Sequence, residues 1–323
     1  MEQVIVIGAG PCGLSAALEL KKNGINPLIL EKGCIVNSIY GFPTYMRFFS
    51  TPELLEIGEV PFLVSGEKPT RQDALNYYRE VACRQGLRIQ SGVKVEGVKK
   101  EEKGFVLETV NRKGEKESFF SEKVVLATGY YDNPNWLGVP GEKLEKVSHY
   151  YKEAHPYQGM KVAVIGGKNS AVEAAMELER AGAQVSWIYR GETYSPSIKS
   201  WVLPLFESVI NKEKIAAYWR TQVKAIEENQ IILEQDGKEF AIENNYVLAL
   251  TGYHPNHELL QSIGVEINNE TGEPIYNQET METSVPGLFV AGVIAAGNNA
   301  NVIFIENGRF HGSLIAEAIK NPS

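Results

Sequence analysis

A cysteine inside a glycine-rich turn is the first feature of this 323-residue chain that suggests chemistry. Gly8, Gly10 and Gly13 form the pattern G-x-G-x-x-G. Such a pattern binds dinucleotides, because its glycines allow a tight turn, a close approach of a pyrophosphate to the backbone, and close packing of a helix on a strand. Pro11 and Cys12 lie between the second and third glycines, so a thiol is predicted to lie beside the phosphates.

The segments on either side of the turn support this interpretation. Residues 4–7 form an apolar run typical of a buried strand, and the helix predicted after the turn would offer free N–H groups to phosphates. A second predicted strand ends at Glu31, and an acidic residue at this distance accepts hydrogen bonds from a ribose. The residues predicted to contact this dinucleotide are Gly8, Gly10, Pro11, Cys12, Gly13, Glu31 and Lys32.

The same succession of strand, turn and helix recurs in the second half of the chain. Residues 161–165 form the predicted strand, which is apolar from 162 to 165; Gly166 begins the turn, and Lys168 replaces its middle glycine. The ammonium group of Lys168 is suited to a direct contact with a phosphate. Two dinucleotide patterns in one chain are far more specific than one, and they indicate one domain inserted into another. The alternative is a degenerate duplicate that binds no ligand.

The strand after this second turn ends at Arg190, where an acid would select a free ribose 2′-hydroxyl. An arginine at this place accommodates a 2′-phosphate, which points to NADPH, with Lys199 as a second cation. The alternative is that both cations are ordinary solvated surface charges. The predicted NADPH contacts are Gly166, Lys168, Asn169, Ser170, Arg190 and Lys199.

The order of these elements predicts an α/β fold with two Rossmann-like dinucleotide-binding domains. Apolar segments that end in Thr-Gly, at residues 128–129 and 251–252, mark the two domain crossings. We therefore predict a discontinuous domain of residues 1–130 and 251–323 that binds the first dinucleotide. Residues 131–250 form the inserted, NADPH-binding domain.

Two helices are predicted in more detail. Thr70 is a candidate N-cap for a helix over residues 72–83, whose last residue, Cys83, is expected in the core. A final helix is predicted from about residue 301 to residue 319. Its candidate buried residues are Phe304, Phe310 and Ile315.

Composition and charge argue against several classes of function. The formal net charge of −8 disfavours nonspecific binding of nucleic acid. The apolar stretch at residues 286–296 is too short to span a bilayer, and a strand so close to Met1 leaves no room for a signal peptide. Three widely spaced cysteines are typical of a protein in a reducing compartment. No cluster of histidines and cysteines has the spacing of metal ligands. We expect a cytoplasmic protein without a metal, nucleic-acid partner or membrane partner.

These features together resemble the flavoprotein reductases of the low-molecular-weight thioredoxin reductase type over nearly the whole chain. The resemblance rests on the first glycine pattern, the crossing at 127–129, the second turn at 166–171 and the C-terminal turn at 291–292. It implies that the outer segments bind FAD, that the insert binds NADPH, and that hydride passes from nicotinamide to flavin. The FAD contacts that it adds are Thr128, Gly129, Gly292 and Val293.

At two places the sequence departs from the thioredoxin reductase pattern, which narrows the choice of subfamily. Residues 147–154, where thioredoxin reductases carry C-x-x-C, contain no cysteine, which excludes reduction of thioredoxin through an internal dithiol. Val293 stands where the family has an aspartate for the ribityl chain of the flavin, so another polar group, such as Asn298 or Asn299, is expected to supply that contact.

The segments at 10–13, 166–171 and 291–299 are similar to those of the bacillithiol disulfide reductase group of Gram-positive bacteria. That resemblance implies reduction of oxidised bacillithiol, a small-molecule disulfide, by NADPH through FAD. It also implies a cytoplasmic homo-oligomer, often a dimer.

Cys12 is the first candidate for a thiol that attacks the substrate. A helix N-terminus lowers the pKa of a thiol, whereas a bound pyrophosphate raises it. Without a second nearby cysteine, a mixed disulfide would be resolved by the other half of the substrate or by an external thiol. The alternatives are that Cys12 is simply a small residue, and that electrons reach the substrate without a protein thiol.

Other functions also remain open at this point. A ferredoxin– or flavodoxin–NADP reductase shares the architecture and lacks C-x-x-C. A flavin monooxygenase would carry F-x-G-x-x-x-H, which is absent, and a flavin-binding redox sensor would act on a partner without turnover. Candidates for binding a substrate carboxylate are Arg47, Arg71 and Arg309.

Overall fold

The computed structural model describes residues 1–299 and 302–321. Its strands are β1 (Glu2–Ile7), β2 (Leu28–Glu31), β3 (Arg88–Ser91), β4 (Val93–Glu101), β5 (Gly104–Asn111), β6 (Lys116–Leu126), β7 (Val147–Ser148), β8 (Lys161–Ile165), β9 (Gln184–Ile188), β10 (Ala216–Tyr218), β11 (Thr221–Ile226), β12 (Gln230–Gln235), β13 (Lys238–Glu243), β14 (Tyr246–Ala249) and β15 (Leu288–Val290). Its α-helices are α1 (Pro11–Lys22), α2 (Asn37–Gly41), α3 (Pro52–Leu55), α4 (Arg71–Arg84), α5 (Asn169–Arg180), α6 (Leu203–Asn211), α7 (His257–Ser262), α8 (Ile305–Gly308) and α9 (His311–Lys320). Two 3₁₀ helices span His155–Tyr157 and Gly292–Ala296. No helix in this described part is long and apolar enough to cross a membrane.

The chain divides into two compact units. The first unit is built from Met1–Tyr40, Met46–Asn133 and Tyr253–Ser323, and the second from Gly41–Tyr45 and Pro134–Gly252. Each unit contains a parallel sheet with its own strand–turn–helix motif, so the predicted class of two Rossmann-like folds is confirmed. The short segment Gly41–Tyr45 differs from the predicted domain limits, because it groups with the second unit.

The first unit is organised around a seven-stranded sheet. Its strand order is β3-β2-β1-β6-β5-β4, and β15 also pairs with β6. Strands β1, β2, β3 and β15 make parallel pairs, whereas β4, β5 and β6 form an antiparallel extension. The last four residues of β1 are buried, which explains their uninterrupted apolar character, because a central parallel strand is covered on both faces.

The parallel register brings the predicted site segments to one edge of this sheet. Ile7, the last residue of β1, pairs with Leu30 of β2 on one side and with Leu126 of β6 on the other. The chain segments that follow these strands therefore leave the sheet side by side. This is the crevice in which open α/β sheets bind their ligands.

The second unit contains a five-stranded parallel sheet of order β10-β9-β8-β14-β7 and a separate antiparallel sheet of β11, β12 and β13. Trp187, on β9, is fully buried at the centre of its core. Phe206 and Trp219 contact the indole edge to face, with ring centroids 5.0 and 4.8 Å away. Such pairs add specific geometry to the burial of apolar surface.

The helix predicted after Thr70 is confirmed. Thr70 caps α4 with a reciprocal pair of hydrogen bonds, in which its Oγ1 accepts from the N–H of Asp73 and its own N–H donates to the Asp73 carboxylate. The expectation that Cys83 is in the core is wrong, because its side chain is exposed. The buried face of α4 is formed by other residues, including Tyr77 and Tyr78.

The prediction of one long C-terminal helix is also wrong. Two helices, α8 and α9, occupy this region, and the helical conformation is interrupted between them at Arg309 and Phe310. The predicted starting residue, 301, lies outside the described residues. Ile315 is fully buried as predicted, but Phe304 and Phe310 are 49% and 57% exposed, because they precede α8 and α9 instead of lying on the packed face of α9.

Candidate functional site

The three glycines of the first turn are needed for different reasons. Gly8 has φ of +109°, and a Cβ there would lie 2.5 Å from the carbonyl oxygen of Ala127. A Cβ on Gly13 would lie 2.1 Å from the oxygen of Gly8, so helix α1 can approach the strand only without a side chain. A Cβ on Gly10 would meet nothing within 4 Å. Packing therefore explains two glycines, while Gly10 borders open space in front of the turn.

Glu31 lies at the carboxyl end of β2 and is only 5% exposed. One carboxylate oxygen accepts a hydrogen bond from the N–H of Ala9 at 2.8 Å, and the other accepts from Gly33 at 2.7 Å. Burial raises the pKa of this carboxyl, and the two backbone donors oppose that change. Each oxygen has a second lone pair, so the carboxylate can still accept from ribose hydroxyls.

Lys32 and the crossing after β6 extend this site. The ammonium of Lys32 pairs with the carboxylate of Asp132 at 2.8 Å, an acid that was not predicted from the sequence. Thr128 has a buried Oγ1 with no hydrogen-bond partner among the described residues. Gly129 has φ of +68°, and a Cβ there would meet no protein atom within 4 Å. This glycine therefore borders open space, as Gly10 does.

The C-terminal turn completes the first unit's site. Strand β15 leads into Gly292, which has φ of +78° and begins a 3₁₀ helix. Its N–H donates to Nδ1 of His311 at 3.2 Å. Val293 is partly buried and supplies no polar group. Asn298 packs against the loop at Gly272 and donates its backbone N–H to Thr271, so it is held by that loop.

These features fit FAD. The open space at Gly10 leaves room for a pyrophosphate, and the carboxylate at the end of β2 can accept from a ribose. The buried hydroxyl of Thr128, which has no partner among the described residues, is available to a bound dinucleotide. No side chain caps α1, whose N-cap is Gly10, so its first turn can donate to a phosphate.

Cys12 lies between two further glycines of the same unit. A Cβ on Gly292 would approach its sulfur to 2.9 Å, and a Cβ on Gly308 would approach it to 3.0 Å. This close packing leaves the thiol poorly hydrated, and burial raises the pKa of Cys12 to about 12. The sequence indicated opposite effects of the helix N-terminus and the phosphates on this pKa. In the structure, the dominant effect on the pKa is desolvation. Cys12 is therefore a neutral thiol at physiological pH.

The turn of the second unit is built in a similar way. Gly166 has φ of +137°, and a Cβ there would lie 2.4 Å from the carbonyl oxygen of Leu250. The carbonyl of Gly166 accepts a hydrogen bond from the indole N–H of Trp187 at 2.7 Å. A Cβ on Gly167 would overlap the ring of Tyr189, so this glycine allows an aromatic side chain to lie against the turn. Tyr189 was not predicted from the sequence; the glycines at 167 and 191, both in contact with its ring, were the available signal.

The predicted polar contacts for NADPH differ in their surroundings. Lys168 and Ser170 are exposed at the start of α5, and Arg190 is exposed after β9. The side chain of Arg190 makes no hydrogen bond or ion pair with any described residue. Asn169 is different, because its side chain makes two hydrogen bonds to the loop that contains Lys199. Its Nδ2 donates one and its Oδ1 accepts the other. Exposed cations and a helix start without a side-chain cap fit a phosphate-bearing dinucleotide.

Two of the candidate substrate arginines have structural partners. Arg71 donates to the carbonyl oxygens of Ile39 and Tyr40. Arg309 donates to those of Glu53, within α3, and Glu56, directly after it. Each guanidinium thus closes a loop, which the sequence could not reveal because the partners are backbone atoms distant along the chain.

The fold and the two glycine turns define a flavoprotein reductase with two dinucleotide-binding folds. Residues 5–292 match the family model of the pyridine nucleotide-disulphide oxidoreductases, and the chain belongs to this family. The oxidoreductase class and its cofactors, FAD and NADPH, are therefore confirmed.

Three proteins that resemble this chain are named as reductases and share the designation Bdr. The chain is 53% identical to the bacilliredoxin reductase Bdr of Bacillus subtilis, over 98% of this chain and 97% of that protein. The structure of the bacillithiol disulfide reductase Bdr from Bacillus cereus matches with a TM-score of 0.97 and 53% identity, over 99% of this chain and 98% of that one. Its counterpart from Staphylococcus aureus matches with a TM-score of 0.94 and 50% identity, over 98% and 97% of the two chains. The resemblance to the bacillithiol disulfide reductases is confirmed.

Proposed function

We propose that this enzyme reduces bacillithiol disulfide to bacillithiol, with electrons from NADPH passing through FAD. The observation that carries the proposal is the near full-length likeness, at 50% identity or more, to two solved structures named for this activity. The absence of a C-x-x-C motif agrees with a substrate other than thioredoxin. A second candidate substrate, an oxidised bacilliredoxin, follows from the name of the Bacillus subtilis relative.

We assign FAD to the first unit and NADPH to the second. In the first unit, Gly10 and the start of α1 would hold the pyrophosphate of FAD, and Glu31 would accept a hydrogen bond from a ribose hydroxyl. In the second unit, Lys168 and the start of α5 would hold the pyrophosphate of NADPH. When bound, FAD accepts a hydride from NADPH and passes two electrons to the disulfide. The open space at Gly10 and the exposed Lys168 support these roles.

Cys12 is the proposed redox thiol. Its sulfur would attack one sulfur of the substrate, so that one S–S bond breaks, a mixed disulfide forms, and the proton of Cys12 moves to the departing thiolate. Two electrons and two protons then reduce the mixed disulfide, which restores the Cys12 thiol and releases the second substrate thiol. Because burial raises the pKa of Cys12 to about 12, the attack requires proton transfer in the same step. The competing route bypasses Cys12 entirely.

The test is NADPH consumption by the FAD-loaded protein, with bacillithiol disulfide, oxidised bacilliredoxin or ferredoxin as acceptor. We expect turnover with bacillithiol disulfide. Turnover with ferredoxin alone would replace the proposed function, and turnover with bacilliredoxin alone would change the substrate. Cys12→Ala should keep its FAD and lose disulfide reduction, whereas the exposed Cys83→Ala should keep both. Full activity of Cys12→Ala would eliminate the thiol route and leave the reductase assignment intact.

We also propose a cytoplasmic location and a homo-oligomeric state. Three free cysteines support a reducing compartment. The exposed apolar side chains Leu54, Phe304 and Phe310 of the first unit support burial against another copy. Cell fractionation and light scattering of the purified protein test the two statements; a monomer at working concentration would contradict the second.

A further inference from the structure

Asn169 joins two parts of the second unit that are well separated along the chain. It is the first residue of α5, directly after the N-cap residue Lys168. Its Nδ2 donates to the carbonyl oxygen of Ser197 at 2.9 Å, and its Oδ1 accepts from the N–H of Lys199 at 2.9 Å. One side chain therefore bonds two backbone groups of the loop before α6.

This double contact fixes the backbone at Lys199. The carbonyl oxygen of Lys199 accepts from the N–H groups of Val202 and Leu203, at 2.8 and 3.0 Å, which begins the helical turn leading into α6. Its N–H and its C=O are thus both held, one by Asn169 and one by the following turn. The anchored backbone fixes the point from which the Lys199 side chain extends, and its ammonium lies 5.9 Å from the centre of the Trp201 ring.

We propose that Asn169 is a positioning residue for cofactor selectivity, which holds Lys199 where its ammonium meets the 2′-phosphate of NADPH. The proposal rests on the proposed binding of NADPH by the second unit. A phosphate bound by a fixed cation gains a charge-assisted hydrogen bond that NADH, with a free 2′-hydroxyl, cannot make. Asn169 acts through Lys199, so its amide is not itself a cofactor contact.

The chemistry of the side chain explains why an asparagine is needed. Only an amide presents a donor and an acceptor side by side, as the loop at 197–199 requires. An aspartate would keep the acceptor, lose the donor, and add a negative charge at the start of the helix that faces the cofactor phosphates. An alanine would lose both bonds and release the loop.

The experiment compares two half-cofactors, 2′,5′-ADP and 5′-AMP, which differ in the 2′-phosphate. Their dissociation constants are measured by calorimetry on the FAD-loaded protein. We expect Asn169→Ala to weaken 2′,5′-ADP about tenfold and 5′-AMP less than about twofold. Lys199→Ala should have the same pattern. The double variant should be no weaker than Lys199→Ala alone, because both changes remove the same contact.

Asn211→Ala, which changes an exposed amide at the end of α6, serves as the control and should leave both constants unchanged. Equal weakening of both half-cofactors by Asn169→Ala would overturn the inference, since the amide would then support the phosphate turn itself. Additive effects in the double variant would also overturn it. If the unchanged protein bound both half-cofactors equally, the assignment of NADPH to this unit would fail, and the inference with it.

Discussion

The backbone N–H of Gly292 donates a hydrogen bond to Nδ1 of His311 over 3.2 Å. Nδ1 must therefore be unprotonated, and the proton of the neutral ring lies on Nε2. Burial lowers the pKa of His311, which agrees with a neutral ring. The imidazole thus holds the turn that begins at Gly292, which borders the proposed flavin site of the first unit.

Replacing His311 should loosen this turn. His311→Leu leaves the Gly292 N–H without an acceptor, and we expect it to cost about 1–3 kcal/mol and to weaken FAD binding. His311→Asn places an amide oxygen near the position of Nδ1 and should retain most of the affinity. The dissociation constant for FAD, measured by titration of the apo-protein, checks both variants. Equal affinity of His311→Leu and the unchanged protein would show that the bond is dispensable.

The same bond predicts a dependence on pH. The folded pKa of His311 is lower than its ordinary value of 6.5, so its contribution to stability is present above that value. It is lost as pH falls through the folded pKa, because a proton on Nδ1 would face the N–H of Gly292. We expect FAD retention to fall in this acidic range in the unchanged protein, and less so in His311→Asn. Parallel pH profiles for the two proteins would refute this explanation.

Gly10 and Gly13 differ in packing and offer a matched pair. Gly13→Ala forces a methyl group against the Gly8 carbonyl and should destabilise the apo-protein by about 1–3 kcal/mol. Gly10→Ala adds a methyl group to open space at the N-cap of α1, so the apo-protein should lose less stability than with Gly13→Ala while FAD binds more weakly. Thermal unfolding of apo-protein and FAD titration separate the two effects. Unaltered FAD binding by Gly10→Ala would argue against the pyrophosphate position.

The three cysteines should differ in their rates of alkylation. Cys83 is exposed and should react first with iodoacetamide. Burial and the nearby Glu31 raise the pKa of Cys34, which should react more slowly. Cys12, with a pKa of about 12, should be the slowest. Peptide mass spectrometry of the folded protein at neutral pH gives the order, and preferential labelling of Cys12 would show a thiolate that this environment does not explain.

Glu173, on α5, should make the second unit sensitive to pH. Burial, with a smaller effect of Glu177, raises the pKa of this carboxyl from 4.5 to about 7. Because the folded pKa is raised, the contribution of Glu173 to stability is fully present below 4.5. It is lost as pH rises through about 7, where the buried carboxyl must ionise. Glu173→Gln should therefore raise the free energy of unfolding by about 1–3 kcal/mol at pH about 8 and have little effect at pH about 5.

All four tryptophans lie within the second unit, so their fluorescence during urea unfolding measures this difference. Glu192→Gln, at an exposed position of the same unit, is the control. A stabilisation of Glu173→Gln that is the same at both pH values would indicate a cause other than titration.

The sequence was sufficient for the parts of the site that depend on local geometry. The glycines of both turns could be recognised because their spacing is a local sequence pattern that follows an apolar strand, and Thr70 could be recognised because a cap acts on the adjacent helix. The pairs Lys32–Asp132 and Asn169–Lys199 could not, because they depend on how loops return to the sheet. The break between α8 and α9 was missed for a similar reason: Ser15, from α1, donates to the carbonyl of Arg309 there.

The segment Gly41–Tyr45 belongs to the second unit although it is encoded far from the rest of it. The N–H of Thr44 donates to the carbonyl oxygen of Lys152 at 2.8 Å. The polypeptide consequently passes between the units four times, at 40/41, 45/46, 133/134 and 252/253. A gene fragment limited to residues 134–252 would leave the Lys152 carbonyl without this donor. Recombination or domain grafting that treats the insert as one contiguous cassette would thus transfer an incomplete module.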